Sequence, residues 1–389
     1  MPEAVIIDAV RTPIGKRKGA LADIHPEDLS AYVLRALVER AGVDPVVVDD
    51  VIWGCVSQLG EQSIQIGRSA VLAAGFPESV PGVTVNRACG SSQQSVDFAA
   101  ALVRSGHDDV VIAGGVESMT RVPMGLGADL GRPYGTQLRA RYAQDLGSGE
   151  FPDGEFHQGI GAERIARKAG LDRRRLDEYS ARSHALAKEA TDAGAFAGQL
   201  VRIPSLPGFT ADEGIRPGTT PETLAGLKPA FTEDGLVHAG NSSQISDGAS
   251  AVLVTTPERA AELGVTPIAR YHTGAVSAAN PLDMLSGPIP ATHKVLKRSG
   301  LSIADIGVFE VNEAFAPVPL VWQAEFGVAD ELLNPLGGAI AVGHPMGASG
   351  TILLTRMLNH MRDKGIRYGL QTMCEASGTA NATIVELLD

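Results

Sequence analysis

An α/β protein made of two related halves around an inserted segment is what this 389-residue sequence predicts. Three observations lead there. Short apolar runs alternate with longer stretches of helical spacing, the pattern of buried sheets covered by helices. The order strand, glycine-rich turn, helix occurs early in the chain and again late. Between the two, the composition shifts to Gly, Arg, Asp and Pro.

Residues 4–10 are an apolar run and read as a strand. Residues 28–41 carry Leu29, Tyr32, Val33, Ala36 and Leu37 at helical spacing, with Gly42 as the stop. A strand is expected over 51–53, a helix over 63–74 before Gly75, and a strand over 83–85. After a tight turn comes a helix from about residue 91 to 104, then a buried strand over 110–113. The next segment has helical patterns over 160–168 and 176–191. A structureless loop of that length does not suit a compact domain, so the segment reads as a partly helical lid. A strand resumes over 249–254, and the early pattern then returns. "IGVFEVNEAF" is placed like "VDDVIWGCVSQ", and "NPLGGAIAVGHPMGASGTILLTRML" like "VTVNRACGSSQQSVDFAAALV". "YGLQTMCEASG" is placed like "DDVVIAGGVES". The expected division is a first half over 1–117, completed by about 245–268, a lid over 118–244, and a second half over 269–389.

A net charge of −12 speaks against sequence-independent nucleic-acid binding, so an anionic ligand has to be met by local Arg or Lys. Three cysteines, Cys55, Cys89 and Cys374, are too few for a disulfide framework and point to a reducing compartment. The first residues lack a signal-peptide pattern, and no run reaches the ~20 apolar residues of a membrane span. A soluble, cytoplasmic protein is expected.

Four segments carry chemistry. In "NRACGSS", Cys89 falls between a strand and a helix, where free backbone N–H groups and the helix dipole favour a thiolate and can serve an oxyanion. Taken alone, the position suits a nucleophile and a buried structural cysteine equally. In "GGAIAVGHPMGASG", His344 sits at a loop tip between Gly343 and Pro345, placed to accept a thiol proton or to donate to an oxyanion. In "TMCEASG", Cys374 ends an apolar strand; it reads as a buried thiol or as a second proton shuttle. In "EVNEAFAP", Asn312 and Glu313 close a strand. Asn312 can hold a water or cap a helix, and Glu313 can orient a histidine or a water. Together these groups lie at carboxyl ends of strands, where α/β folds place their sites.

At these residues the chain resembles the thiolase family, over essentially its whole length. "RTPIGKRKGAL", "GGVESMTRVP" and "GNSSQISDGASAVL" match as well. The resemblance implies the thiolase fold, two βαβ-built halves in a five-layer αβαβα arrangement with an inserted loop domain. It implies coenzyme A as substrate and product, no metal or other cofactor, and a homodimer or homotetramer. It assigns Cys89 as nucleophile, His344 as its base, and Cys374 as the acid–base on the acetyl-CoA carbon. Asn312 would hold an oxyanion-site water, and the backbone of Cys89 and Ala376 would form a second oxyanion site. Arg216, Ser243 and His157 would contact coenzyme A, and Phe315 would wall the acyl pocket.

The chain departs from the family pattern at Ala376 and Ser377, where two glycines are usual. If Ala376 needs a left-handed backbone, it is strained by about 1 kcal/mol. Two other readings share these motifs. A decarboxylating ketoacyl synthase uses the same fold, but Cys374 does not suit it. A catalytically weakened CoA- or lipid-binding homologue is compatible with the altered turn.

Overall fold

The structure, a computed structural model, describes residues 2–388. Its strands are β1 (Val5–Arg11), β2 (Gly15–Lys16), β3 (Asp50–Gly54), β4 (Val83–Val85), β5 (Val110–Ser118), β6 (Ser246–Thr255), β7 (Ala269–Ala278), β8 (Val308–Val311), β9 (Tyr368–Cys374) and β10 (Thr379–Leu387). They run in the order β4-β3-β5-β6-β1-β7-β10-β9-β8, with β2 on β6. The two halves repeat one pairing scheme. β3 is parallel to β5 as β8 is to β9, and β5–β6–β1 is antiparallel as β9–β10–β7 is. Even β4, parallel to β3, has a counterpart in the parallel bridge of Leu333 to Phe309. The halves join where Val5 and Ile6 pair with Arg270 and Ala269.

Side-chain alternation sorts these strands between three cores. In the first, Leu29, Leu34 and Leu37 of the Pro26–Ala41 helix and Val71 of the Ile66–Ala73 helix cover Val51, Trp53, Val110 and Ile112. In the second, Val96, Ala99 and Val103 of the Ser91–Ser105 helix join Leu354, Met357 and Met361 of the Met346–Lys364 helix. These pack on Ile52, Val111 and Val252 of one half and on Val308 and Val385 of the other. In the third, Val295 of the Pro288–Ser299 helix and Trp322 of the Pro317–Phe326 helix cover Phe309, Leu370 and Ile384. The result is five layers, αβαβα. A register shift between Ile6 and Asp8 flips the alternation of β1, so Val5 and Val10 face the same core although their spacing is odd.

β7 and β10 did not stand out in the sequence, because small and polar residues such as Thr273, Gly274, Thr379 and Asn381 interrupt their apolar alternation. β5 runs on to Ser118, past the apolar run at 110–113, because Glu117 and Ser118 are buried as well. The inserted segment contains the two expected helices, Gln158–Lys168 and Arg173–Asp192, and shorter ones such as Thr136–Arg141 and Pro221–Ala225. Asp172 starts the longer helix by accepting from the Arg175 N–H at 2.8 Å. The segment is pinned to β1 by a buried, two-pronged ion pair. Arg11 donates to both oxygens of Asp212 at 2.7 and 3.0 Å and to Gln199 at 2.7 Å. Asp212 also accepts from the Ile14 N–H. Stripping such a pair of one partner costs about 3–5 kcal/mol. Among the described residues no helix is long and apolar enough to cross a membrane.

Candidate active site

The two central helices start side by side because glycines let their backbones touch. A Cβ on Gly350 would lie 2.3 Å from the Gln93 nitrogen, and one on Gly115 2.2 Å from the Gly347 carbonyl oxygen. The Thr351 N–H then donates to Ser92 Oγ at 3.0 Å. Cys89 stands at one helix start and His344 just before the other. Cys89 packs with Met346, two residues beyond His344, and with Met119 and Met373.

The turn that carries Cys89 is held tightly. Asn86 accepts from the Ala88 N–H, and Ser91 Oγ accepts from the Arg87 N–H and donates to the Ala88 carbonyl. Ala88 is forced to φ +44°, a region costly for a residue with a Cβ. The Asn381 side chain donates to the Gly90 carbonyl from β10, tying the second half to this turn.

His344 is oriented by hydrogen bonds at its backbone N–H and ring Nδ1. Its N–H donates to the Gln244 carbonyl, and its ring Nδ1 lies 2.6 Å from Ser349 Oγ. Ser349 Oγ donates to the Pro345 carbonyl, so the hydroxyl accepts from Nδ1–H. This assigns the tautomer and leaves a lone pair on Nε2. Nε2 is buried with no partner among the described residues. Both polar atoms of the Asn312 side chain are in the same condition. Asn312 sits where β8 ends, its N–H on the Thr372 carbonyl, and its amide is near the Cys374 thiol without hydrogen-bonding to it, a minor downward pull on that thiol. Cys374 faces Cys89, and each is fully buried. Orphaned buried donors and acceptors are rare in folded proteins; those of Asn312 lie near Cys374, and that of His344 belongs to the turn whose Met346 packs on Cys89.

The electrostatics differ from the expectation that the helix terminus would favour a thiolate. Burial, reinforced by Glu375, pushes the Cys89 thiol up to about 12. Burial, Cys89 and Glu375 raise Cys374 well above the usual thiol range. Burial lowers His344 to about 4. Desolvation is the largest cause for each of the three groups, disfavouring its charged form. At rest the site therefore holds neutral thiols and a neutral imidazole, not a thiolate–imidazolium pair.

Other expected residues are placed as follows. Phe315 is buried and meets Phe231 edge-on at 5.8 Å, and Phe231 meets His157 at 5.4 Å. His157 caps its helix, accepting from the Gly159 N–H at 3.2 Å. The Ser243 N–H donates to the Ala314 carbonyl, beside Phe315. Arg216 is exposed in a turn whose N–H donates to His184 Nδ1. That turn and the Arg173–Asp192 helix enclose a cleft of about 640 Å³ with His184, Lys188 and Thr219. Glu313 does not touch His344: it accepts from Tyr179, Ser183, Asn334 and the Ile340 N–H. It thereby ties the inserted helix to the loop leading to His344.

The Ala376 strain expectation is corrected. Ser377, at φ +60°, is the residue in the left-handed region, whereas Ala376 is not. The expected result is that Ser377→Gly raises stability by about 1 kcal/mol. Ala376→Gly lowers it by about 0.4–1 kcal/mol through the unfolded chain. Urea denaturation of each single variant measures both signs, and equal shifts in one direction would contradict the assignment.

Three contributors were not visible in the sequence motifs. Ser349 looked like a small helix residue, and Glu117, which accepts from the N–H groups of Val56, Ser57 and Gly347, like the end of a strand. Glu375 could have been noticed as a lone charge closing an apolar run.

Residues 4–258 match the family described as thiolase, N-terminal domain, and residues 265–387 that described as thiolase, C-terminal domain. A steroid 3-ketoacyl-CoA thiolase, FadA6, of Mycobacterium tuberculosis is 47% identical over 389 residues, covering 100% of this chain and 95% of the relative. A 3-ketoacyl-CoA thiolase of Shigella boydii is 44% identical, covering 99% and 100%. The crystal structure of a Bacillus anthracis acetyl-CoA acetyltransferase superposes with a TM-score of 0.90 at 34% identity, over 100% of this chain and 99% of that one. A repeated five-layer fold, two facing thiols and an unpartnered imidazole thus coincide with full-length similarity in sequence and structure, and the chain belongs to the thiolase family.

Proposed function

We propose that this thiolase, an acyltransferase, cleaves 3-ketoacyl-CoA to acetyl-CoA and a shortened acyl-CoA through a thioester on Cys89, and that it serves degradation. The unpartnered Nε2 of His344, on the turn whose Met346 packs against Cys89, together with Cys374 close to Cys89, carries this reading. Cys89 Sγ attacks the 3-keto carbon while its proton passes to His344 Nε2. The tetrahedral oxyanion collapses, the C2–C3 bond breaks, and Cys374 protonates C2 of the departing acetyl-CoA. A thiol held well above its usual pKa suits that task, because it stays protonated until a carbanion meets it. Incoming CoA then gives its proton to the Cys374 thiolate and attacks the thioester. Cys89 leaves and recovers its proton from His344. Asn312 holds a water at one oxyanion, with His344 once protonated, and the Cys89 and Ala376 N–H groups serve the other. The reverse sequence is a Claisen condensation.

The names of the relatives, a steroid 3-ketoacyl-CoA thiolase and a 3-ketoacyl-CoA thiolase, support a degradative role and an acyl-CoA substrate with coenzyme A. The cleft beside Arg216 and Lys188 suits the phosphates of CoA, and Ser243, His157 and Phe315, grouped around Phe231 and Ala314, are assigned to the rest of CoA and the acyl chain. A homodimer or homotetramer is supported by Val83 on the open edge of β4 and Phe98 on the following helix, each 43% exposed around the Cys89 turn. A cytoplasmic setting is supported by three free cysteines.

The test is incubation with acetoacetyl-CoA followed by peptide mass spectrometry. The expected result is acetyl on the Cys89 peptide, released as acetyl-CoA when CoA is added. Binding with no adduct would overturn the reading, in favour of a non-catalytic homologue. A panel of short, long, branched and steroid-derived 3-ketoacyl-CoAs then ranks substrates by kcat/KM.

A further inference from the structure

Glu375 follows Cys374 directly, and no step above uses it. Its side chain is fully buried, and neither carboxyl oxygen has a hydrogen-bond partner among the described residues. By contrast, Glu117 and Glu313 each accept several hydrogen bonds. The Thr379 hydroxyl, on the same turn, donates to the Ala376 carbonyl at 3.2 Å. The carboxyl is pressed against the nucleophile's own turn, since a Cβ on Gly90 would lie 2.1 Å from Glu375 Oε1. The groups around it come from four elements. Cys89 and Arg87 lie on the turn, Asp97 on the Ser91–Ser105 helix, Cys374 at the end of β9, and Thr379 and Asn381 on β10. Arg87 favours a charge there and Asp97 opposes it.

A buried carboxylate with no hydrogen bond and no ion pair is costly, so the site favours the neutral acid. Resting on the thiolase reading in which Cys89 is the nucleophile, we propose that Glu375 is a positioning residue for acylation. It works uncharged beside Cys89, and its ionisation weakens the nucleophile. The charge stands close to both thiols in a dry site, where it opposes any negative charge that develops on sulfur or on the thioester oxygen. Burial, only partly offset by the Arg87 charge and the nearby Thr379 hydroxyl, whose hydrogen bond goes to the Ala376 carbonyl, holds the acid up to about 7, so both forms are reached near neutral pH. Below that range Glu375 is silent; above it, it restrains Cys89.

Two measurements on the full chain test this, each with Glu375→Gln and Glu375→Asp. Iodoacetamide alkylation of Cys89, read by peptide mass spectrometry, needs no catalysis and so stands whether or not the thiolase reading does. In Glu375→Gln the logarithm of the rate should rise with unit slope from pH 6 to 9. The native protein should bend below that line above pH 7, ending roughly tenfold slower, the equivalent of one pKa unit. Single-turnover acylation by acetoacetyl-CoA should follow the same pattern, with equal rates at pH 6 and a faster Glu375→Gln at pH 8.5. Glu375→Asp should restore the bend. A native-to-variant ratio that does not change with pH, or a folded Glu375→Gln that acylates more slowly at every pH, would overturn the proposal. No acylation in the native protein, with the alkylation bend intact, would remove the thiolase reading alone.

Discussion

With serine in place of Cys89, turnover of acetoacetyl-CoA falls by roughly 10⁴-fold or more, and no acyl adduct forms. The reason is chemical rather than structural. The hydroxyl has nearly the shape of the thiol but is a far weaker acid, and the site offers little help to an anion at rest. Burial and Glu375 already hold the native thiol near 12, so the reaction depends on sulfur's nucleophilicity and on proton transfer during attack. The fold should persist. A buried hydroxyl without a partner costs about 1–3 kcal/mol, which lowers the melting temperature without abolishing cooperative unfolding. Circular dichroism and steady-state kinetics on the same sample measure both. Retained turnover in Cys89→Ser would place the nucleophile elsewhere.

Replacing His344 by alanine should lower kcat/KM by roughly 10²–10⁴-fold, the range of a general base. The pH dependence is equally specific. Because the folded-state value is lowered to about 4, the imidazole is protonated only as pH falls through that value, and the base is present above it. The acidic limb of single-turnover acylation in the native protein should therefore lie well below the usual histidine range near 6.5. In His344→Ala that limb should vanish with the rate. An acidic limb near 6.5 in the native protein would mean that the ring is solvated or paired with an ion in the working enzyme.

Local sequence alone carried much of the site. Cys89, His344, Asn312 and Cys374 became candidates because a strand, a glycine-rich turn and a helix start are short-range patterns, but only their combination, and the family resemblance it carries, set them above ordinary buried residues. The repetition of that pattern was enough to predict two related halves. β7 and β10 were hidden, since Thr, Asn, Gly and Ala become strand residues only when long-range partners supply the ladder and the core.

What the sequence by itself determined is an α/β class of two related halves, from residue types and spacing, and a resemblance to the thiolase family that implied the layers and the candidate reacting groups. Tertiary structure alone decided their chemical state. Ser349 selects the His344 tautomer across one helical turn, and Glu313 serves the inserted helix rather than the histidine. Burial raises the Cys89 thiol although its position before a helix suggested a thiolate, and Ser377 rather than Ala376 takes the left-handed backbone. These outcomes depend on dielectric surroundings and on contacts between residues far apart in the chain, which no local pattern encodes. Among them is a carboxyl, Glu375, that only the folded chain brings against Gly90, next to Cys89.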